Sequence, residues 1–347
     1  MDSIIKINVE REGHRSVLKE SYHNAPYKLT HYGSPRAQDH LEMIIMSASP
    51  GIMDSDSLVI DVHVKENAHL KLFTQSFNKL HPMKVGASQE TNVLLDKDSM
   101  FNYVPHPVTP FKNSIFKTVN TIHVNDGATL IWGDIISAGR VQRDEVFAFR
   151  KLHSITRVYQ DSKLLVTDNQ CLLPQEQPVS DLLFFEGYTH QATLLYCGPF
   201  AKLMKGEMDE ILTREYEDVS FGFTECAENT ILLRAVGTDG ELLYSFLTML
   251  AQMCWVFTQD QLTKKDEETA RIAAQALPKE TGTSRVKKEA KKVPAKKTTG
   301  QKKTETTETA SSAVDAKNLT KKKTIGGKGK EVAEKTAKAR TVSKKAV

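Results

Sequence analysis

The stretch "SLVIDVHVKENAHLKLFTQ", Ser57–Gln75, carries the reading of the fold. Its first eight residues alternate with period two, which puts Leu58, Ile60, Val62 and Val64 on one face of a β-strand. A short polar turn containing Asn67 follows; asparagine favours reversal by bonding its own backbone and tolerating left-handed geometry. A second β-forming run closes the stretch. The same order of strand, tight polar turn and strand recurs four times, in "VHVKENAHLKLFTQ" (Val62–Gln75), "VLLDKDSMFNYVPH" (Val93–His106), "IHVNDGATLIWGDI" (Ile122–Ile135) and "TRVYQDSKLLVTDN" (Thr156–Asn169). The copies start 31, 29 and 34 residues apart. A loose repeat of this length in β-forming sequence predicts stacked strands, each layer covering a face of the last. An antiparallel sandwich with turns at similar intervals gives the same pattern. The expected class is therefore mainly β, either solenoid-like or a sandwich.

Two segments depart from this pattern near the end of the β-rich body. "PFAKLMKGEMDEILTREYE" (Pro199–Glu217) has helix-forming composition. "GELLYSFLTMLAQMCWVF" (Gly240–Phe257) sets Leu243, Phe246, Leu247, Leu250, Met253 and Cys254 at helical spacing, which reads as a helix packed on the core. The strand-like "TILLRAVG" lies just before it.

Charge divides the chain. From Gln261 onward there are 24 Lys+Arg against 10 Asp+Glu, which leaves 23 basic and 33 acidic residues before it. All 11 histidines lie in this acidic body. The expected organisation is thus a body over 1–260 and a Lys-rich tail over 261–347, disordered from about Thr263 because its apolar residues are too few to offset chain entropy. Such a tail can hold polyanions, nucleic acid included, by counterion release and without sequence specificity. The alternative function is accordingly a nucleic-acid-associated protein acting through this tail.

Cys171, Cys197, Cys226 and Cys254 are widely spaced, with no C-x-x-C pair, and read as packed thiols in a reducing compartment. No charged leader opens the sequence, and "LLYSFLTMLAQMCWVF" is interrupted by Ser245, Thr248 and Gln252. A cytoplasmic chain without a membrane span is expected. "TIGGKGK" lacks the spacing of a phosphate loop, and neither a nucleophile elbow nor a zinc-protease motif is present. A β-solenoid carbohydrate enzyme would need paired carboxylates and stacked aromatics, which do not stand out.

The candidates for chemistry are therefore few. "PGIMDSDSLVIDVHV" supplies Asp54, Asp56, Asp61 and His63, the last two sharing the strand face opposite Leu58 and Ile60. Mixed oxygen and nitrogen donors suit a borderline divalent metal, and they equally suit a solvated strand face. "SAGRVQRDEVF" (Ser137–Phe147) packs Arg140, Arg143, Asp144 and Glu145 between two strand-like runs. These could form an acid/base pair, an anion clamp or a rim that grips another protein.

Five stretches in order resemble one family. They are "HLEMIIMSASPGIMDSDSLVIDVHV", "LKLFTQSFNKLHP", "MFNYVPHPVTPFKNSIF", "LIWGDIISAGRVQRDEVFAFR" and "ILLRAVGTDGELLYSFLTMLAQMCW". Together, over about Ile44–Trp255, they are similar to the urease accessory proteins UreD, also called UreH. Pro50, Gly51, Asp56 and Leu58 match the family's Pro-Gly segment. Thr74, Gln75 and Lys79 match its Thr-Gln segment, and Pro105, Pro107 and Phe111 its Pro-x-Pro segment. Gly139, Arg140, Glu145 and Phe147 match its Gly-Arg segment. The chain departs from the pattern where Ile52, Ser55 and Asp144 stand in place of glycines.

The resemblance implies a non-catalytic scaffold for the maturation of urease, a nickel enzyme. Its implied partners are the urease apoprotein, the helical accessory protein UreF and, through it, the GTPase UreG. No tightly bound cofactor is expected, only transient nickel. On this reading Asp54, Asp56, Asp61, His63 and Glu145 would line a nickel route. Pro50, Gly51, Thr74, Gln75, Lys79, Pro105, Pro107, Gly139, Arg140 and Phe147 would be architectural or partner-facing.

Overall fold

The computed structural model describes residues 1–33, 38–182, 184–213, 216 and 218–276. The chain opens with β1 (Asp2–Glu12), β2 (Arg15–His23), β3 (Tyr27–His31) and β4 (Leu41–Ser47). Next come β5 (Ser57–Val64), β6 (His69–Thr74), β7 (Asn78–Leu80), β8 (Ala87–Leu95) and β9 (Met100–Tyr103). They lead to β10 (Val108–Pro110), β11 (Ile115–Val124), β12 (Thr129–Ser137), β13 (Lys151–Gln160) and β14 (Lys163–Leu172). β15 (His190–Cys197), α1 (Ala201–Ile211), β16 (Val219–Ala227), β17 (Thr230–Gly237) and α2 (Gly240–Ala276) complete the described fold.

The strands form two facing sheets. One runs β14-β13-β11-β8-β5-β1-β2, and the other β16-β17-β15-β12-β9-β6-β4-β3, with β7 and β10 joined at its side. β5, β8, β11 and β13 pair in parallel, as do β4, β6, β9 and β12. Chain direction therefore alternates between sheets once per coil, which makes the centre a β-solenoid. This resolves the choice between solenoid and sandwich.

The first three copies of the repeat are stacked in register, Val62 beside Val93 and Val93 beside Ile122. Their turns are the corners where the chain passes between sheets. Asn67, Asp98 and Gly127 occupy corresponding left-handed positions at φ 58, 53 and 71°. The Asn67 amide donates to the Lys97 carbonyl and the Asp98 amide to the Asp126 carbonyl, each at 3.1 Å. Ala68, Ser99 and Ala128, all fully or almost fully buried, follow inside each corner. Small residues there let successive coils close up, and the stacked amides satisfy one another.

The fourth copy differs. Asp161 and Ser162 both have positive φ, 47 and 68°, and turn β13 straight back into antiparallel β14 within the same sheet. Two consecutive left-handed residues make a hairpin turn rather than a corner. The solenoid ends there, and antiparallel β15, β17 and β16 extend the second sheet.

The space between the sheets is filled by Leu58, Ile60, Val62 and Val64 of β5, with Leu70, Leu72, Val93, Phe101 and Ile122. A second core forms where α1 and α2 cover the outer face of the second sheet. Leu243, Phe246, Leu247, Leu250, Cys254 and Trp255 of α2 are buried there. α2 is long and apolar enough to cross a membrane by length and composition alone, but this face is occupied by the sheet. The helix continues to Ala276, so the boundary expected at Asp260 falls inside it, as does the onset of disorder expected at Thr263. The expected disorder beyond 276 lies outside the described residues.

Candidate functional site

Along the side of the solenoid away from the Asn67, Asp98 and Gly127 corners, the space between the sheets is not filled. A cavity of about 230 Å³ is walled by Leu58, Ile60, Phe116 and Trp132 together with polar Gln89, Thr118, Asn120, Tyr103 and Asp134. Three of the four family-like segments meet on it: Pro50 and Gly51, then Thr74, Gln75 and Lys79, then Pro105. The solenoid period brings them together, since β4 pairs Ile45 with Thr74, and β6 pairs Leu72 with Tyr103 two residues before Pro105.

Gly51 is required by this crowding. Its φ is 157°, and a Cβ would collide with the Lys79 carbonyl and sit 2.9 Å from the His81 ring. Gln75 donates its amide to Ile45, and the Pro107 carbonyl accepts from Asn78. Lys79 and Pro107 thus hold β7 and β10 in place as much as they line a surface.

Asp134 is the carboxylate of the cavity. It lies deep in the fold yet keeps water-accessible surface, because it faces the unfilled space. Burial raises its pKa to about 6, while the Ser154 hydroxyl, donating at 3.1 Å, and a backbone amide pull the other way. The Trp132 indole N–H is buried and has no partner in the described residues, on the wall of the same cavity. Sequence reading missed Asp134. Its signal was the single charge in "TLIWGDIIS", a strand whose other residues are all buried.

His106 stands on the same wall, under the first turns of α2. Its ring stacks on Tyr244 with centroids 4.1 Å apart and is flanked by Phe77. Thr74 Oγ1 lies 2.9 Å from its Nδ1 and accepts its backbone N–H at 2.8 Å. Burial lowers the His106 pKa.

The "SAGRVQRDEVF" loop is closed by its own side chains and backbone. Arg140 donates Nε to Glu145 Oε2 at 2.8 Å and Nη2 to the other oxygen, a bidentate clamp, and lies over the Phe111 ring. This pairing raises the Arg140 pKa and lowers that of Glu145, so neither acts as an acid/base group near neutrality. Gly139 donates to Ser137 Oγ, and the Phe147 amide closes the loop on the Ala138 carbonyl at 2.7 Å. The Phe147 ring meets Phe149 and Phe185 edge-on. The departures from the family pattern also make sense here. Ser55 and Asp144, which stand where glycines are expected, have φ 64 and 56°, so the glycine-type backbone is kept without glycine. Ile52 instead fills the core.

The five residues expected to line a nickel route do not come together. Asp54 Oδ1 accepts two amides, Val85 and Gly86, and Asp56 accepts that of Met53. Asp61 accepts from Asn92, His63 pairs with Asp96 at 2.8 Å, and Glu145 is held by Arg140. None lines the cavity, and among the described residues no three His, Cys, Asp or Glu side chains are gathered for a metal ion. Short polar residues at turns and on an open sheet face found backbone and cross-strand partners instead.

Comparison with known proteins gives the family. The chain matches the UreD urease accessory protein family over residues 2–274. It is 34% identical to the urease accessory protein UreD of Flavobacterium johnsoniae over 271 residues, which cover 77% of this chain and 97% of that protein. It is 31% identical to UreD of Acetivibrio thermocellus, covering 73% and 97%. It is 29% identical to UreH of Helicobacter pylori, covering 75% and 96%. The two-sheet solenoid with its covering helices therefore belongs to the UreD family of urease accessory proteins.

Proposed function

We propose that this chain is a non-catalytic scaffold in urease maturation, and that nickel on its way to the urease apoprotein passes through the cavity between the sheets. The carrying observation is the donor set of that cavity. Asp134, Asn120, Gln89, Thr118 and Tyr103 offer oxygen atoms, with one carboxylate among neutral groups. Neutral oxygens with a single charge suit a cargo cation that must enter and leave, whereas a closed set of anionic or sulfur ligands would retain it. The partners on this reading are the urease apoprotein, UreF and, through UreF, UreG. The protein acts in the cytoplasm and holds no cofactor of its own. Asp54, Asp56, Asp61, His63 and Glu145 then serve the framework around the route.

The test is co-expression of the full chain with its cognate urease operon lacking this accessory protein, read as nickel per urease and as capture of urease by the tagged chain. The wild-type chain restores both. Asp134→Ala restores capture but leaves urease depleted in nickel. Equal nickel with Asp134→Ala would remove the cavity from the route. Nickel loading without any contribution from the wild-type chain would end the scaffold reading. The nucleic-acid alternative rests on a tail most of which, beyond residue 276, lies outside those described, and no observation favours it.

A further inference from the structure

We propose that Nε2 of His106 is a transient ligand for the divalent cation on the cavity wall beneath α2, with Thr74 as the residue that positions it. This inference rests on the cavity reading above and adds a nitrogen ligand to a route otherwise lined by oxygen.

Three observations carry it. First, the ring is fixed on two sides, by the Tyr244 stack at 4.1 Å and by Phe77 at 6.1 Å, so its edge is directed rather than free. Second, Nδ1 is engaged by Thr74 Oγ1 at 2.9 Å. That oxygen also accepts the His106 backbone N–H, and in the tautomer with the hydrogen on Nδ1 it accepts that one as well, which leaves the lone pair of Nε2 open. Metal-binding histidines are oriented in this way, through a hydrogen bond from the nitrogen away from the metal. Third, Nε2 makes no hydrogen bond in the described residues and is not among the polar atoms sealed from solvent, although the residue lines the cavity. A fixed ring with one free, accessible nitrogen is a preorganised single ligand. One imidazole alone binds nickel weakly, as passage demands. Because Tyr244 belongs to α2, the seat of the helix also sets the position of the ligand.

The experiment uses the full chain labelled with ¹⁵N at histidine, titrated with nickel chloride and, separately, magnesium chloride, and observed through its imidazole resonances. His106→Gln assigns the signal. Broadening of the His106 signal at substoichiometric nickel, and none with magnesium, is expected. Nickel affinity, measured by competition with a chromophoric chelator, falls about tenfold in His106→Gln and in Thr74→Val and returns in Thr74→Ser. Circular dichroism of each variant identifies any that fails to fold. A His106 signal that stays sharp while other histidines broaden, or unchanged affinity in a folded His106→Gln chain, overturns the assignment. Those results leave the cavity route standing if wild-type chain still loads urease. Nickel binding at His106 without loading by the wild-type chain instead removes the route and keeps the ligand.

Discussion

The hydroxyl of Ser154 on β13 donates to the carboxylate of Asp134 on β12 at 3.1 Å, across the gap between the two sheets. It lies on the side of the solenoid where the space between the sheets stays open. Two polar side chains replace the apolar pairs that close the space elsewhere.

The pH dependence of stability sets Asp134 against the histidines lowered by burial, His69 foremost, with His106 and His190 shifted the same way. The Asp134 pKa is raised to about 6, so between about pH 4 and 6 the folded state holds more protons than the unfolded, and stability falls as pH rises. Burial lowers His69 to about 4, so there the unfolded state holds more protons and stability rises with pH up to about 6.5. The two slopes oppose each other. Urea denaturation at a series of pH values should show the stability of Asp134→Asn rising more steeply with pH than wild type across this window and that of His69→Gln rising less steeply. Both variants following the wild-type slope would contradict the assignment.

The glycine replacements give a second prediction. Ser55 and Asp144 hold left-handed backbone that costs a side-chain-bearing residue about 1 kcal/mol. Ser55→Gly and Asp144→Gly should each be neutral or stabilising by up to about 1 kcal/mol, because the added freedom of the unfolded chain offsets part of the gain. Gly51→Ala, by contrast, drives a methyl group into the Lys79 carbonyl and should lower the melting temperature clearly. Thermal melts of the three variants compare them directly.

A third prediction concerns the seat of α2. Lys71, almost fully buried, donates to Gln252 at 3.0 Å, lies 3.7 Å from Glu42 and sits over the Trp255 ring at 4.8 Å. Lys71→Met keeps the stem and removes the buried charge, so it should cost under about 1 kcal/mol or stabilise. Glu42→Ala leaves that cation without its carboxylate and should cost about 3 kcal/mol. Denaturation midpoints check the order, and the reverse order would mean that the ion pair itself holds the helix.

Much of this fold was legible in the sequence, because β5 reads as alternation and is buried as alternation, from Leu58 to Val64. The three corners were visible as tight polar turns between β-forming runs, where the structure sets Asn67, Asp98 and Gly127 in left-handed backbone. The fourth turn looked alike because asparagine and aspartate serve hairpins as well as corners; only the pair Asp161–Ser162, both left-handed, distinguishes it. The length of α2 was underestimated because the apolar stripe fades after Phe257, although Gln, Lys, Glu and Ala continue as good helix formers. The site was harder. Asp54, Asp61, His63 and Glu145 carry the right chemical types, but their partners Gly86, Asn92, Asp96 and Arg140 are set by stacking and loop closure. Conversely, Asp134 was hidden in an apolar strand, and His106 stands between Pro105 and Pro107, outside any alternating run. Thr74 and Pro105 stand 31 residues apart, one coil of the solenoid, so the repeat already contained their convergence.

The most direct test of the cavity route is to fill it. Thr118 lines the space, and Thr118→Phe adds a ring there at a cost of about 1–3 kcal/mol of overpacking. The measurement is nickel per urease, by mass spectrometry of metals, for enzyme matured in cells carrying this variant as the full chain, with occlusion verified in its crystal structure. The account predicts intact capture of urease with nickel content well below that given by wild type. Wild-type nickel content with the cavity demonstrably filled would contradict it.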